Sequence, residues 1–251
     1  NLLTLVCCNK IVPCSPVVIP RYIAKIAFLA NKISIINGFI DISRLVINYD
    51  LLSSLKSEFP HGYFLCIGRI DKNKSTLQII ESYMLSYSLV HNKNKLPPLL
   101  IVGSGPYETS CKRIIAQFNL RFKSCAPIFF RQETEDAYTY IFNASAVLLG
   151  SKSEGFSNVA LESLYANTPI MLSKNKGNLF LYSFIGLESQ SSLIQLLPLL
   201  TNKKSTSIWA ESMNRFEQSK TNCPYSATRQ VINKCSANVN IVKWIDVIES
   251  L

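Results

Sequence analysis

The chain has 251 residues, 48% hydrophobic and 17% charged, a balance that points to one large globular domain or to one domain with part of another. No apolar stretch reaches the roughly 18 uninterrupted residues of a membrane-spanning helix, since NLLTLVCCNKIVPCSPVVIP is broken by Asn9, Lys10, Pro13 and Pro16. The net charge of +10, from 26 Lys and Arg against 16 Asp and Glu, fits anionic lipid headgroups or phosphate-bearing substrates. Nucleic acid is disfavoured, because the cations form no long runs and are not interleaved with aromatics.

In chain order, residues 1–30 hold at most one strand and one helix, too little for a core of their own. NKISIINGFIDISRLVINYD contains a strand-like run ending in the turn signal Asn37-Gly38 and reads as a connector. From Gly62 onward, apolar runs alternate with helical patterns. GYFLCIGRI is a strand and STLQIIESYMLSYSLV a helix, PPLLIVGSG a strand and YETSCKRIIAQFNL a helix. PIFFRQ, TEDAYTYIFNAS, AVLLGS, SNVALESLYAN and PIMLS continue the alternation. Continuous apolar strands, each followed by a helix, predict a parallel sheet covered on both faces: a doubly wound α/β fold with ligands beyond the carboxyl ends of its strands. The tail from about Leu193 reads as helical, with a polar interruption at Thr201–Ser207 and a break at Cys223-Pro224.

The eight cysteines include no C-x-x-C pair and no His-rich partner set, which argues against zinc. Cys66, inside YFLCIGR, fits a small buried hydrophobe, and a reducing cytosolic compartment is the simplest setting. The chain opens on Asn1 with no basic stretch before it, as a processed product or a fragment would.

Three loops carry candidate chemistry. GRIDKNKS follows the first strand, placing Gly68, Arg69, Lys72 and Lys74 at the mouth of the expected cleft. Arg69 and Lys74 can converge on a diphosphate, and they equally fit ordinary solvated loop cations. LLIVGSGP supplies Gly103 and Gly105, either for ligand contact or for a tight strand-to-helix turn with Pro106 near the helix start. A G-x-G-x-x-G dinucleotide fingerprint needs glycine at 108, where Glu108 stands, so a nicotinamide-dependent dehydrogenase is disfavoured. SEGFSNV runs into a helix, and the free amides near Gly155, Phe156, Ser157 and Asn158 offer an anion site. Glu154 lies before that helix and Glu162 within it, beyond Val159. Eight helical residues rise about 12 Å, so the pair can touch two ends of an elongated ligand, and carboxylates accept hydrogen bonds from sugar or ribose hydroxyls. Alternatively, Ser157 is a plain helix cap and Glu162 a solvated helix residue.

In order, ISIINGFID, CIGRIDKNKS, LLIVGSGP and AVLLGSKSEGFSNVALESLYANTPIM, from about Ile33 through Ser173, resemble the donor-binding domain of glycosyltransferase family 4, the retaining nucleotide-sugar enzymes of the GT-B fold. The resemblance implies a Rossmann-like C-terminal half of a GT-B enzyme, with the N-terminal domain largely missing. Residues 1–40 would be its remnant and connector, 41–192 the donor-binding core and 193–251 helices packed on that core. It implies that Arg69 and Lys74 hold the donor pyrophosphate and neutralise the departing nucleotide, that Glu154 faces the donor sugar, and that Glu162 bonds the ribose hydroxyls. The amides after Glu154 would lie near sugar and diphosphate, and Arg131 and Gln132, after the third strand, are candidates for the base.

The implied activity is transfer of a hexose or N-acetylhexosamine, with retention, from a UDP-linked or alternatively a GDP-linked donor to a surface polysaccharide or lipid-linked glycan. No D-x-D motif is present, and no cofactor or metal is expected. A cytoplasmic protein associated peripherally with an anionic inner membrane face fits the charge. The sequence departs from the family in two places. The loop after the fifth strand reads SKNKGNLFLYSF, with Gly177 alone where the family often has a glycine pair and an acidic residue. A histidine that the amino-terminal domain often supplies has no counterpart in His61 or His91. A non-catalytic sugar-nucleotide-binding module and a GT-B sugar-nucleotide epimerase are the alternatives.

Overall fold

The computed structural model describes residues 8–19, 26–90, 96–121, 127–186, 193–216 and 226–250. Cys7, His91, Cys125 and the Cys223-Pro224 break lie outside the described residues. Six strands, β1 (Phe64–Ile67), β2 (Leu99–Val102), β3 (Ile128–Arg131), β4 (Ala146–Leu149), β5 (Ile170–Ser173) and β6 (Ile194–Leu197), form one sheet in the order β3-β2-β1-β4-β5-β6. Every neighbouring pair is parallel. This is the doubly wound arrangement expected from the alternating pattern. Its topological switch point lies between β1 and β4, where successive crossovers leave in opposite directions and open a crevice at the carboxyl ends.

The strands are mostly apolar, with Arg131, Ser173 and Gln195 the exceptions, because alternate side chains serve two cores. Leu65, Leu100, Val147 and Leu172 point to one face. Phe64, Cys66, Ile101, Leu148 and Met171 point to the other. The first face is covered by α1 (Tyr49–Glu58), α4 (Ala137–Asn143), α5 (Asn158–Tyr165), α6 (Lys176–Ile185) and α8 (Ser226–Cys235), through Leu55, Ile141, Leu161, Leu181 and Val231. The second face is covered by α2 (Thr76–Leu89), α3 (Glu108–Asn119) and α7 (Lys203–Asn214), through Ile79, Tyr83, Ile115 and the fully buried Trp209. The indole of Trp209 donates to the Pro198 carbonyl at 2.8 Å, and Ser86 Oγ of α2 donates to Asn214 Oδ1 of α7 at 2.6 Å, so α7 is locked to the sheet edge and to α2. Helix α9 (Ala237–Glu249) closes the described chain.

Three expectations change. The tail from Leu193 does not begin as helix: Ile194–Leu197 is the edge strand β6, paired with β5 alone. Four residues interrupted by the polar Gln195 span too few turns for a period to separate strand from helix. The polar stretch at Thr201–Ser207 is not an interruption but a helix start, because Asn202 accepts from the Ser205 amide at 3.0 Å in a reciprocal capping box that opens α7. Residues 33–40 run irregularly alongside residues 11–14, with one isolated bridge between Ile11 and Ile33, and Asn37-Gly38 makes no turn. Gly38 is instead where the Phe156 ring packs against bare backbone.

Candidate functional site

The site is built from loops leaving the carboxyl ends of β1, β2, β3 and β4. After β1 the chain turns at Gly68, whose φ of +123° is open to glycine and strained for other residues, and no atom lies within 4 Å of where a Cβ would stand. The β2 loop packs so closely on this segment that a Cβ on Gly103 would meet the Gly68 carbonyl and one on Gly105 the Ile70 carbonyl. The two glycines therefore serve backbone approach and also border the cleft.

A cleft of about 560 Å³ lies between these loops and α5. Of the residues singled out in the sequence, Gly68, Arg69, Gly103, Gly105, Val159 and Glu162 line it. Arg69 is exposed over 70% of its side chain, with its Nε 3.4 Å from Asp71 Oδ2, so its guanidinium is available at the mouth. Lys72 is exposed beside it. Glu162 enters from the first turns of α5, half-buried, and its carboxylate accepts no hydrogen bond among the described residues. Burial alone pushes its carboxyl above the ordinary glutamate range.

Beyond the carboxyl ends of β1 and β4, Lys74 Nζ meets Glu154 Oε1 at 2.6 Å, with 31% and 14% of the two side chains exposed. This pair is too enclosed to be an ordinary solvated surface contact. Lys74 also borders a water-sized space of about 10 Å³ with Gly68, Arg69 and Ser151. Glu154 is backed by α6. A Cβ on Gly177 would run into the Glu154 carbonyl, so the lone glycine of SKNKGNLFLYSF is what permits this approach.

The amides after Glu154 belong to a loop braced on several sides. Ser15, fully buried, donates to the Gly155 carbonyl at 2.7 Å. The Phe156 ring packs edge-on against Phe180 and Phe184, with centroids 6.2 and 6.1 Å away, so this side chain is packing. Ser157 caps α5 by accepting from the Ala160 amide at 3.4 Å, and Asn158 is exposed at the first helical position.

Arg131 and Gln132 are not brought into the cleft. Arg131 pairs with Glu58 at 2.6 Å and Gln132 donates to Glu108 at 2.9 Å. The loop after β3 reaches the cleft through Glu133 and Thr134 instead, with Glu133 accepting from the Ser104 hydroxyl across the mouth.

Sequence reasoning passed over Ser15, Asp71, Asn73, Ser104 and Glu133. Asp71 accepts from the Lys74 amide at 2.9 Å, a local side-chain turn that an aspartate in a polar loop just before a helix advertises. Ser15 and Glu133 act across long sequence separations and leave no local signal. Among the described residues no three His, Cys, Asp or Glu side chains gather as a metal site would require, and no helix is long and apolar enough to cross a membrane.

Residues 56–180 match the family described as Glycosyl transferases group 1. No curated protein matches the sequence. Among solved structures, Anabaena HepE in complex with UDP-glucose is similar at a TM-score of 0.69 with 14% identity, over 97% of this chain and 64% of its own. A glycosyltransferase from Rickettsia africae is similar at 0.68 with 16% identity, over 96% and 63%. Sucrose-phosphate synthase from Thermosynechococcus elongatus is similar at 0.64 with 16% identity, over 99% and 59%. The chain thus spans less than two thirds of each of these structures, and at such identities the likeness establishes the shared fold.

Proposed function

We propose, from a chain whose residues 56–180 match the group 1 glycosyl transferases, that the cleft beside β1 and β4 binds a nucleotide-diphosphate sugar and that the protein transfers its sugar to an acceptor. The observation that carries this reading is the half-buried, unpartnered Glu162 carboxylate in the same cleft as the exposed Arg69. A desolvated carboxylate awaiting donors suits the ribose diol, and a guanidinium at the other wall suits phosphate. HepE, a structure of similar fold, was solved with UDP-glucose.

In this reading the donor is UDP-linked, carrying a hexose or N-acetylhexosamine, and the acceptor is a surface polysaccharide or lipid-linked glycan. Lys74 exchanges its partner when the donor enters. The diphosphate takes the ammonium now held by Glu154, and Glu154 is released to accept from the sugar hydroxyls. As the glycosidic bond to the diphosphate breaks, negative charge grows on the leaving oxygen, where Arg69 and Lys74 stabilise it electrostatically. Two cations supply the charge that a metal provides elsewhere, so treatment with a chelator leaves UDP affinity unchanged, as read by equilibrium dialysis. An acceptor hydroxyl oxygen bonds to the anomeric carbon from the face the nucleotide leaves and passes its proton to the departing phosphate oxygen, which gives retention and releases the nucleoside diphosphate.

Proton NMR of a reaction with UDP-glucose or UDP-N-acetylglucosamine and a glycan acceptor tests the proposal. An α-configured product, lost in Lys74→Ala, is expected. A β-configured product contradicts retention, and UDP release that is unchanged in Lys74→Ala contradicts the assigned site.

A further inference from the structure

We propose that Asn73 is a positioning residue that fixes Lys74 against Glu154; the inference rests on the donor site described above. The β1–β4 pairing runs through Phe64–Ala146 and Leu65–Val147, after which the two chains part toward their loops. Asn73 rejoins them. Its Nδ2 donates to the Ser153 carbonyl at 2.9 Å and its Oδ1 accepts from the Ser153 amide at 3.1 Å. Its own carbonyl accepts from the Lys152 amide at 2.8 Å.

The side-chain amide thus pairs with both polar groups of one backbone residue, as a neighbouring strand would. Because Asn73 precedes Lys74 and Ser153 precedes Glu154, holding 73 against 153 sets 74 against 154, whose charged atoms meet at 2.6 Å. The choice of residue follows from its inventory. Asparagine offers a donor and an acceptor on a one-carbon stem, aspartate lacks the donor, and glutamine places both a methylene too far out. Asn73 is exposed and belongs to neither core, so its work is local to this junction.

The test is a double-mutant cycle on the full chain, with UDP and uridine titrated separately into the parent, Asn73→Ala, Lys74→Ala and the double variant. Asn73→Ala is expected to weaken UDP about tenfold and uridine less than about twofold, with a melting temperature within about 2 °C of the parent. In the Lys74→Ala background the same change should cost UDP less than about twofold, since the residue it acts through is gone. Equal losses for UDP and uridine, a full tenfold loss persisting without Lys74, or no loss for UDP each overturn the positioning role. A parent chain that is folded and binds neither ligand removes the donor site itself, an outcome distinct from any of these.

Discussion

Lys74 and Glu162 stand in opposite states, one held by a carboxylate 2.6 Å away and the other without a hydrogen-bond partner, and the two make different predictions. Replacing Lys74 with alanine should lower UDP affinity by roughly 10- to 100-fold while leaving uridine unchanged, the loss expected for a charge-assisted phosphate contact. Paired isothermal titrations read this directly, and a uniform loss signals misfolding instead. For Glu162, burial raises the folded carboxyl above its reference value of 4.5. The folded chain therefore holds that proton more tightly than the unfolded chain. The stabilising contribution is complete below the unfolded value and is lost as pH rises through the raised one. Ionised Glu162 thus weakens the fold at neutral pH. Glu162→Gln should melt higher than the parent at pH 7, with the difference vanishing below about pH 4.5, and should bind uridine less tightly. Gain in stability with loss of binding is the mark of a residue kept for a ligand. The sequence showed both residues through their spacing from glycine loops and a helix start. Which carboxylate is engaged and which is free was not legible, since it depends on Lys74, 80 positions away from Glu154.

Helix α6 offers the clearest test among the elements. On propensity alone, replacing a helical glycine with alanine stabilises by roughly 0.5–1 kcal/mol. At Gly177 the new methyl would meet the Glu154 carbonyl, so the sign reverses. Gly177→Ala should destabilise by about 1–3 kcal/mol, as overpacking against backbone does, and should weaken donor binding by displacing Glu154. Denaturant unfolding and UDP titration of the same variant check both halves. The strands β1 to β5 were legible because long apolar runs bounded by glycine and proline have one good reading in a parallel sheet. Strand β6 was not, since Ile194–Leu197 is interrupted by the exposed polar Gln195 and lies at the sheet edge. Helix α1 is a different omission: Asn48 accepts from the Leu51 amide at 3.1 Å, and Leu52 and Leu55 are buried at helical spacing, so its cap and apolar face were both written in the sequence.

At the scale of the molecule, the two cores force the crevice. Helices α2, α3 and α7 draw the chain to one face, and α1, α4, α5, α6 and α8 to the other, so the loops after β1 and β4 diverge and leave the cleft between them. Removing the buried anchor of α7 should be felt across the sheet edge. Trp209→Ala is expected to cost about 3–5 kcal/mol through the cavity it leaves and the lost bond to Pro198. Nucleotide affinity per folded molecule should remain unaltered, because Trp209 lies on the face away from α5 and Glu162. The claim on which the functional account turns is that this crevice holds a uridine diphosphate. Calorimetric titration of the folded chain with UDP and with GDP, without added metal, tests it most directly. Saturable binding of UDP, with GDP weaker, is the predicted result, and a folded chain that takes up neither nucleotide contradicts the account.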